Sequence, residues 1–270
     1  MAKTKVLIAV KTYPTISTKY DELVCTAGFL ENGSWIRIYP IQFRKKAYAE
    51  QYKKYDWIEV DLIKNRADFR PESFRPLSEQ SEIEIVGHLD TDANWAARKD
   101  IVLKNVWYNL TDLIASAKNK DICTSLAVFK PTTIKEFTIE EVERSWNTEK
   151  LASLRQLNLF DTARGNSFEV VRKLPYKFSY VFTDNKGRES KLMIEDWEIG
   201  QLYWKCLAHH EGDESRALQD VHKKYFEDFA KTKDLYFFLG TTQAHHYRSH
   251  NPFIIIGTFH PKIELQHKLF

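Results

Sequence analysis

Short apolar or alternating runs, each closed by a turn signal, fill the N-terminal third of the chain, and no regular strand–helix–strand repeat follows them. That order constrains the fold more than any other feature. "KVLIAVK", "ELVCTAGFL", "SWIRIYPI", "DWIEVDLIKN" and "SEIEIVGHL" read as strands: they are short, rich in branched and aromatic residues, and mostly of period two. Asn32-Gly33 predicts a tight hairpin between the second and third. "TYPTISTKYD" reads as a loop, and so does "RADFRPESFRPLS", whose two Arg-Pro steps disfavour helix at Arg70 and Arg75. Between them, the spacing of Tyr48, Tyr52 and Tyr55 predicts a helix over "FRKKAYAEQYKKY".

"VWYNLTDLIASAK" predicts a helix; "TSLAVFKP" and "KEFTIEEV" read either as a strand pair or with the second continuing into helix. The hydrophilic stretch 144–167 follows, with helical periodicity inside it over residues 151–160. The C-terminal part reads as two strands around "DNKG", then a helix capped by Asp196 with Leu202, Cys206 and Leu207 facing inward. A second helix has an apolar stripe of Leu218, Val221, Tyr225 and Phe229, and the strands "DLYFFLGTT" and "PFIIIGTF" close the chain. The expectation is an α+β protein of mainly antiparallel, barrel-like sheets with flanking helices. It divides into a strand-rich part of small-barrel type at 1–143, a connecting segment at 144–167 and an α+β part at 168–270.

Glycine is scarce, nine residues in 270, and no G-x-G-x-x-G or G-x-x-x-x-G-K-[ST] occurs, which argues against dinucleotide and P-loop enzymes. Cys25, Cys123 and Cys206 lie far apart without a C-x-x-C, which fits a reducing compartment. No apolar run approaches the roughly 20 residues that span a bilayer, so the expected location is cytoplasmic with no membrane partner. A net charge of +3 permits contact with nucleic acid without requiring it.

Aromatics make up 14% of the chain, and in one place they interleave with cations. As a strand, "WIRIY" sets Trp35, Arg37 and Tyr39 on one face. If that face is open, the rings can stack on bases and the guanidinium can meet phosphate. Arg44, Arg70 and Arg75 extend the basic character, and Arg248 adds a cation in the loop "QAHHYRSHN". The leading expectation is a nucleic-acid-binding protein, with DNA or RNA as partner, that reads a modified or single-stranded base through Trp35, Arg37, Tyr39, Arg44, Arg70, Arg75 and Arg248. The competing structural reading buries Trp35 and Tyr39 and pairs Arg37 with Glu59 or Asp61.

A second expectation is a metal-dependent phosphodiesterase. Asp184, Asp196 and Glu198 would hold Mg²⁺ or Mn²⁺, with His246 and His250 as phosphate-binding or acid–base groups. No H-E-x-x-H and no cysteine pair supports a resident metal, so a cofactor is expected only under this reading. A third expectation is a protein–protein interaction module using exposed aromatics.

The stretches "KTYPTISTKYDELVCTAGFLENGSWIRIYPIQFR", "LPYKFSYVFTDNKGRESKLMIEDWEIGQLYW" and "FFLGTT…FIIIGTFHPK" resemble a group of prokaryotic proteins without an assigned activity. Its members share a K-T-Y-P start, a W-I-R-x-Y-P strand and a D-W-E helix start. The resemblance carries no catalytic residue over. It implies cysteines of a small zinc knuckle before D-W-E in some relatives, and "VFTDNKGRESKLMIED" contains none.

Overall fold

The computed structural model describes residues 3–17, 21–41, 43–78, 80–149, 151–152 and 170–264. The periodicity expected over 151–160 lies, beyond Ala152, outside the described residues. The chain forms two compact units: residues 1–89 with 139–177, and residues 90–138 with 178–270. The class is α+β with mainly antiparallel sheets, as expected.

The first unit holds β1 (Thr4–Lys11), β2 (Thr15–Ser17), β3 (Asp21–Phe29), β4 (Trp35–Ile41), β5 (Asp56–Val60), β6 (Leu62–Lys64), β7 (Ser73–Pro76) and β8 (Glu84–His88). They make one curled half-barrel sheet in the order β6-β7-β4-β3-β1-β5-β8, with β2 on β3. β1 is buried along Val6–Val10, as its unbroken apolar run predicts for a strand covered on both faces. Between β3 and β4, Asn32 accepts from the Ser34 N–H at 2.9 Å and Gly33 takes φ 85°, which glycine adopts without strain. At Gly28 the backbones of β3 and β1 approach closely. A Cβ there would run into the Leu7 carbonyl oxygen and sit 2.9 Å from the carbonyl carbon. β8, at the sheet edge, is exposed throughout. Its ends are polar: Lys3 pairs with Glu84, and Asp56 lies 2.7 Å from His88, which suits a strand edge that must not recruit another chain.

Two local expectations are corrected in this unit. Residues 43–55 form two short 3₁₀ turns, Phe43–Lys45 and Tyr48–Glu50, and not one helix. Phe43 and Tyr52 pack edge to face, the Tyr52 and Thr26 hydroxyls meet at 2.5 Å, and Tyr48 is left almost fully exposed. Tertiary anchoring of two rings outweighs the weak propensity of a short isolated helix. Two segments read as loop also contain strands, β2 and β7. A small satellite core of Ile16 and Val171, flanked by Tyr13, Trp146 and Val170, completes the unit. There Tyr13 donates to the Arg172 carbonyl at 2.8 Å and Trp146 Nε1 to the Val171 carbonyl at 2.8 Å.

The second unit contains α1 (Asp92–Val102), β9 (Val106–Trp107), α2 (Leu110–Lys118), β10 (Leu126–Phe129), α3 (Trp197–His209), α4 (Glu214–His222), a π-helical turn (Lys223–Ala230), β14 (Tyr236–Thr241) and β15 (Phe253–Phe259). The sheet order is β15-β14-β10-β9. A separate three-stranded sheet runs β11 (Thr133–Glu141), β12 (Tyr176–Thr183), β13 (Glu189–Met193). The expected pairing of "TSLAVFKP" with "KEFTIEEV" does not occur, because β10 pairs with β14 and β9 instead. The buried stripe of α3 is Ile199 and Tyr203, while Leu202, Cys206 and Leu207 are half-buried. The next stripe is Ala217, Val221, Tyr225 and Phe229, with Leu218 displaced to half-burial. No helix among the described residues is long and apolar enough to cross a membrane.

Candidate nucleic-acid interface

β4 runs between β3 and β7, with Arg37 opposite Ala27 on one side and Ser73 on the other. Its centre, Ile36–Ile38, is buried on both faces, so the alternation that suggested an open face misled. Arg37 is 2% exposed. Its N–H donates to the Glu72 carbonyl at 2.8 Å, and its guanidinium lies 4.0 Å from the Glu72 carboxylate. Burial lowers its pKa; Cys25, Glu72 and Asp68 counter this and Arg70 adds to it. Trp35 is half-buried against Phe29 at a centroid distance of 4.0 Å, and Tyr39 is half-buried. The three side chains therefore do not make the solvent-facing aromatic–cation–aromatic row that the strand pattern suggested.

What covers this region is the hairpin from β6 to β7. Its loop, 65–72, is closed by Asn65 N–H to the Ser73 carbonyl at 3.1 Å. Inside it sit two tight turns, Asp68 N–H to Asn65 O at 3.1 Å and Ser73 N–H to Arg70 O at 3.2 Å. Asn65 also ties the loop to the sheet by donating to the Tyr39 carbonyl at 3.3 Å. Between the turns, Asp68 and Arg70 point inward, each 5% exposed. Arg70 Nε donates to Asp68 Oδ1 at 2.8 Å and Nη2 to Oδ2 at 2.6 Å, a two-pronged pair, and the Ser73 hydroxyl adds a bond to Oδ2 at 2.5 Å. Desolvation raises the Asp68 pKa, but the Arg70 and Ser73 hydrogen bonds outweigh it and the net shift is downward. Lys64 donates to the Arg70 and Pro71 carbonyls. Arg70, expected to reach a ligand, is thus committed to the loop itself.

The outer surface of the same hairpin is different. With Asp68 and Arg70 turned in, Phe69 turns out and is 47% exposed. Arg66 and Arg75 are exposed near it in sequence, and Arg75 donates to the Pro76 carbonyl at 3.3 Å. Arg44 is half-buried in the first 3₁₀ turn. Of the expected basic contacts in this unit, Arg75 is exposed, as are Arg66 and Phe69 of the same hairpin. Phe69 was overlooked in the sequence; the available signal was an aromatic flanked by D and R at i−1 and i+1, where a local ion pair forces the middle residue outward.

The carboxylates expected to hold a metal do other work. Asp184 is buried and accepts from the Leu110 N–H at 3.1 Å and from those of Lys186 and Arg188 at 2.9 and 3.0 Å, capping α2 and the β12–β13 turn at once. Asp196 caps α3 by accepting from the Glu198 N–H at 3.2 Å, and Glu198 is exposed. Among the described residues no three His, Cys, Asp or Glu side chains converge to hold a metal ion. Asp184→Ala is expected to cost about 2 kcal/mol in a urea melt, the range for a lost cap that leaves buried donors unmet. That loss should be the same with and without Mg²⁺. A Mg²⁺-dependent difference would return Asp184 to the ligand role.

The histidine loop also divides. His245, Arg248 and His250 are exposed, while His246 is fully buried. His246 Nε2 lies 2.8 Å from the Ala117 carbonyl, so in the neutral ring it carries the hydrogen, and Nδ1 accepts from the Thr241 hydroxyl at 2.7 Å. The Cys123 sulfur sits 3.5 Å from that same Nε2, on the side where the ring is a donor and not a base. Lys118 fixes the loop by donating to the His246 and Ser249 carbonyls at 2.7 and 2.5 Å. The expected acid–base role of His246 is replaced by a clasp between loop and α2.

Fold and site together define an α+β chain with a curled, mainly antiparallel sheet and a hairpin that exposes Arg66, Phe69 and Arg75. The chain belongs to the family described as domain of unknown function DUF8757, which matches residues 107–270; a second domain of unknown function, DUF8758, matches residues 2–104. No curated protein matches it. One solved structure, a murine DNA-binding protein bound with double-stranded DNA, aligns over 98% of both chains at 11% identity with a TM-score of 0.32, too low to bear on the argument.

Proposed function

We propose that the chain binds nucleic acid through the β6–β7 hairpin of its first unit. The observation that carries this reading is a hairpin whose buried Asp68–Arg70 ion pair lies between exposed Arg66, Phe69 and Arg75. Across the hairpin, Lys64, Arg66, Arg70 and Arg75 stand against Asp68 and Glu72, and Arg70 is already balanced by Asp68, so the surface field is positive. Exposed arginines meet phosphate bidentately, and backbone-rich loops of fixed shape lose little freedom on binding.

Fluorescence anisotropy with short labelled DNA and RNA tests it. Binding at low salt should weaken steeply as salt rises. Arg66→Ala combined with Arg75→Ala should flatten the log–log salt dependence by about 1–2, because each phosphate contact contributes roughly 0.9 to the slope. Absence of binding to both polymers at low salt, or an unchanged slope in the double variant, sinks the reading.

A further inference from the structure

We infer that residues 261–264 form a strap that holds the first turn of α1 left-handed, and that lifting the strap lets residues 93–95 reverse hand and join the helix as its opening turn.

The argument starts from three consecutive residues. Ala93, Asn94 and Trp95 take φ/ψ of 46/46°, 54/48° and 66/28°, while the rest of α1 is right-handed. That is a turn of the wrong hand for L-residues, each of which sets its Cβ against the following carbonyl oxygen. None of the three is glycine, and of the three only asparagine visits this region with any ease. Such a turn persists only where its surroundings over-determine it.

Here the surroundings are the strap and the end of β15. Asn94 grips the backbone of Lys262: its Oδ1 accepts from the Lys262 N–H at 2.8 Å, and its Nδ2 donates to the Lys262 carbonyl at 3.1 Å. Nδ2 also reaches Glu264 Oε1 at 3.1 Å, and the same carboxylate pairs with Lys99 further along α1. Trp95 lies edge to face against Phe259 and against His260, each at a centroid distance of 5.1 Å. The strap has a second anchor, from the Asp234 N–H to the Pro261 carbonyl at 2.9 Å, so its position does not depend on α1 alone. The right-handed alternative needs no outside support. Ala93 is a good helix former, and Asp92 complements the positive end of the helix dipole. The two hands therefore compete, and the strap decides between them.

Hydrogen exchange of the full chain, followed by mass spectrometry on peptides spanning 90–99 and 259–264, tests the coupling. Ala93→Pro and Ala93→Gly push opposite ways. Proline fixes φ near −65°, which a right-handed first turn accepts and a left-handed one does not. It should lift the strap and speed exchange of 259–264 about tenfold, the equivalent of roughly two lost hydrogen bonds. Glycine takes the left-handed turn without strain, so it should slow exchange in both peptides and raise Tm by about 2–4 °C. Asn94→Ala cuts the clasp directly and should match Ala93→Pro in both peptides. Glu264→Gln changes only an exposed side chain, so it remains readable if either of those variants fails to fold. It should speed exchange in both peptides, less than Asn94→Ala does.

Ala93→Gly that lowers Tm, or Ala93→Pro and Asn94→Ala that leave 259–264 exchanging as in the wild type, overturns the inference. So does exchange that rises in 259–264 but not in 90–99, since the strap would then move without the turn. Unchanged exchange of both peptides in Glu264→Gln overturns it as well.

Discussion

Gly28→Ala is expected to abolish cooperative folding of the eight-stranded sheet. A single added methyl group would collide with the carbonyl of Leu7, and at 3.2 Å crowd the Cα of Ile8, both on the neighbouring strand β1. Backbone cannot swing aside as a side chain can, and β1 is pinned on its other edge by β5, where Val6 faces Ile58 and Leu7 faces Trp57. Relief requires β1 and β3 to separate, which would uncover Val6 to Val10 and Phe29, all at most 1% exposed. The expected loss exceeds the roughly 1–3 kcal/mol typical of overpacking, and appears as insoluble expression or a non-cooperative urea transition. Gly240→Ala is the control. The three atoms nearest its added methyl all belong to the Ile256 side chain, with Cδ1 at 2.7 Å, so a rotamer change can absorb it and the penalty should stay in the ordinary overpacking range. Equal, mild destabilisation by the two variants would show that β1 and β3 can slide apart.

Arg70→Ala carries the second largest effect. It strips Asp68 of its two-pronged partner and leaves a carboxylate, 5% exposed, with the Ser73 hydroxyl and the backbone N–H of residue 70. Removing one member of a buried pair costs about 3–5 kcal/mol, because the remaining charge stays desolvated. Asp68→Asn should also destabilise, since it removes the negative charge that the buried Arg70 guanidinium pairs with. The pair also predicts a pH dependence. The folded pKa of Asp68 is depressed, so its contribution is fully present above the unfolded value of about 3.9 and is lost as pH falls through the folded value. Urea midpoints measured downward from neutral pH should therefore fall less steeply in Asp68→Asn than in the wild type. Parallel pH curves would remove Asp68 from the account of acid stability.

The strands were legible because their evidence is local. "KVLIAVK", "WIRIYPI" and "FIIIGTF" need only period and composition to declare themselves, and the Asp196 cap needs only the residues after it. What failed depended on partners far away in sequence. Arg37 was assigned to an open face because alternation reports two faces and not what later covers them; here the cover is Glu72 and the loop before it. The tyrosines at 48, 52 and 55 have helical spacing, yet Tyr52 is claimed by Thr26 on β3. "TSLAVFKP" was matched with its neighbour in sequence, whereas Leu126 lies opposite Gly240. At the candidate site, Arg75 was legible as an exposed cation. Phe69 was not, because its exposure follows from an ion pair between its two neighbours and a loop cannot be read by periodicity.

The satellite core around Ile16 and Val171 bears on how the molecule is made. The first unit is assembled from two stretches of chain, and Tyr13 must wait for Arg172, 159 positions later, before its hydroxyl finds the acceptor it uses in the finished protein. On a ribosome, the N-terminal sheet would emerge with one corner unsealed while the whole of 90–138 is still being added. A fragment ended at residue 104 would keep that corner open permanently, and a nascent chain would close it only once residues 139–177 had cleared the exit tunnel.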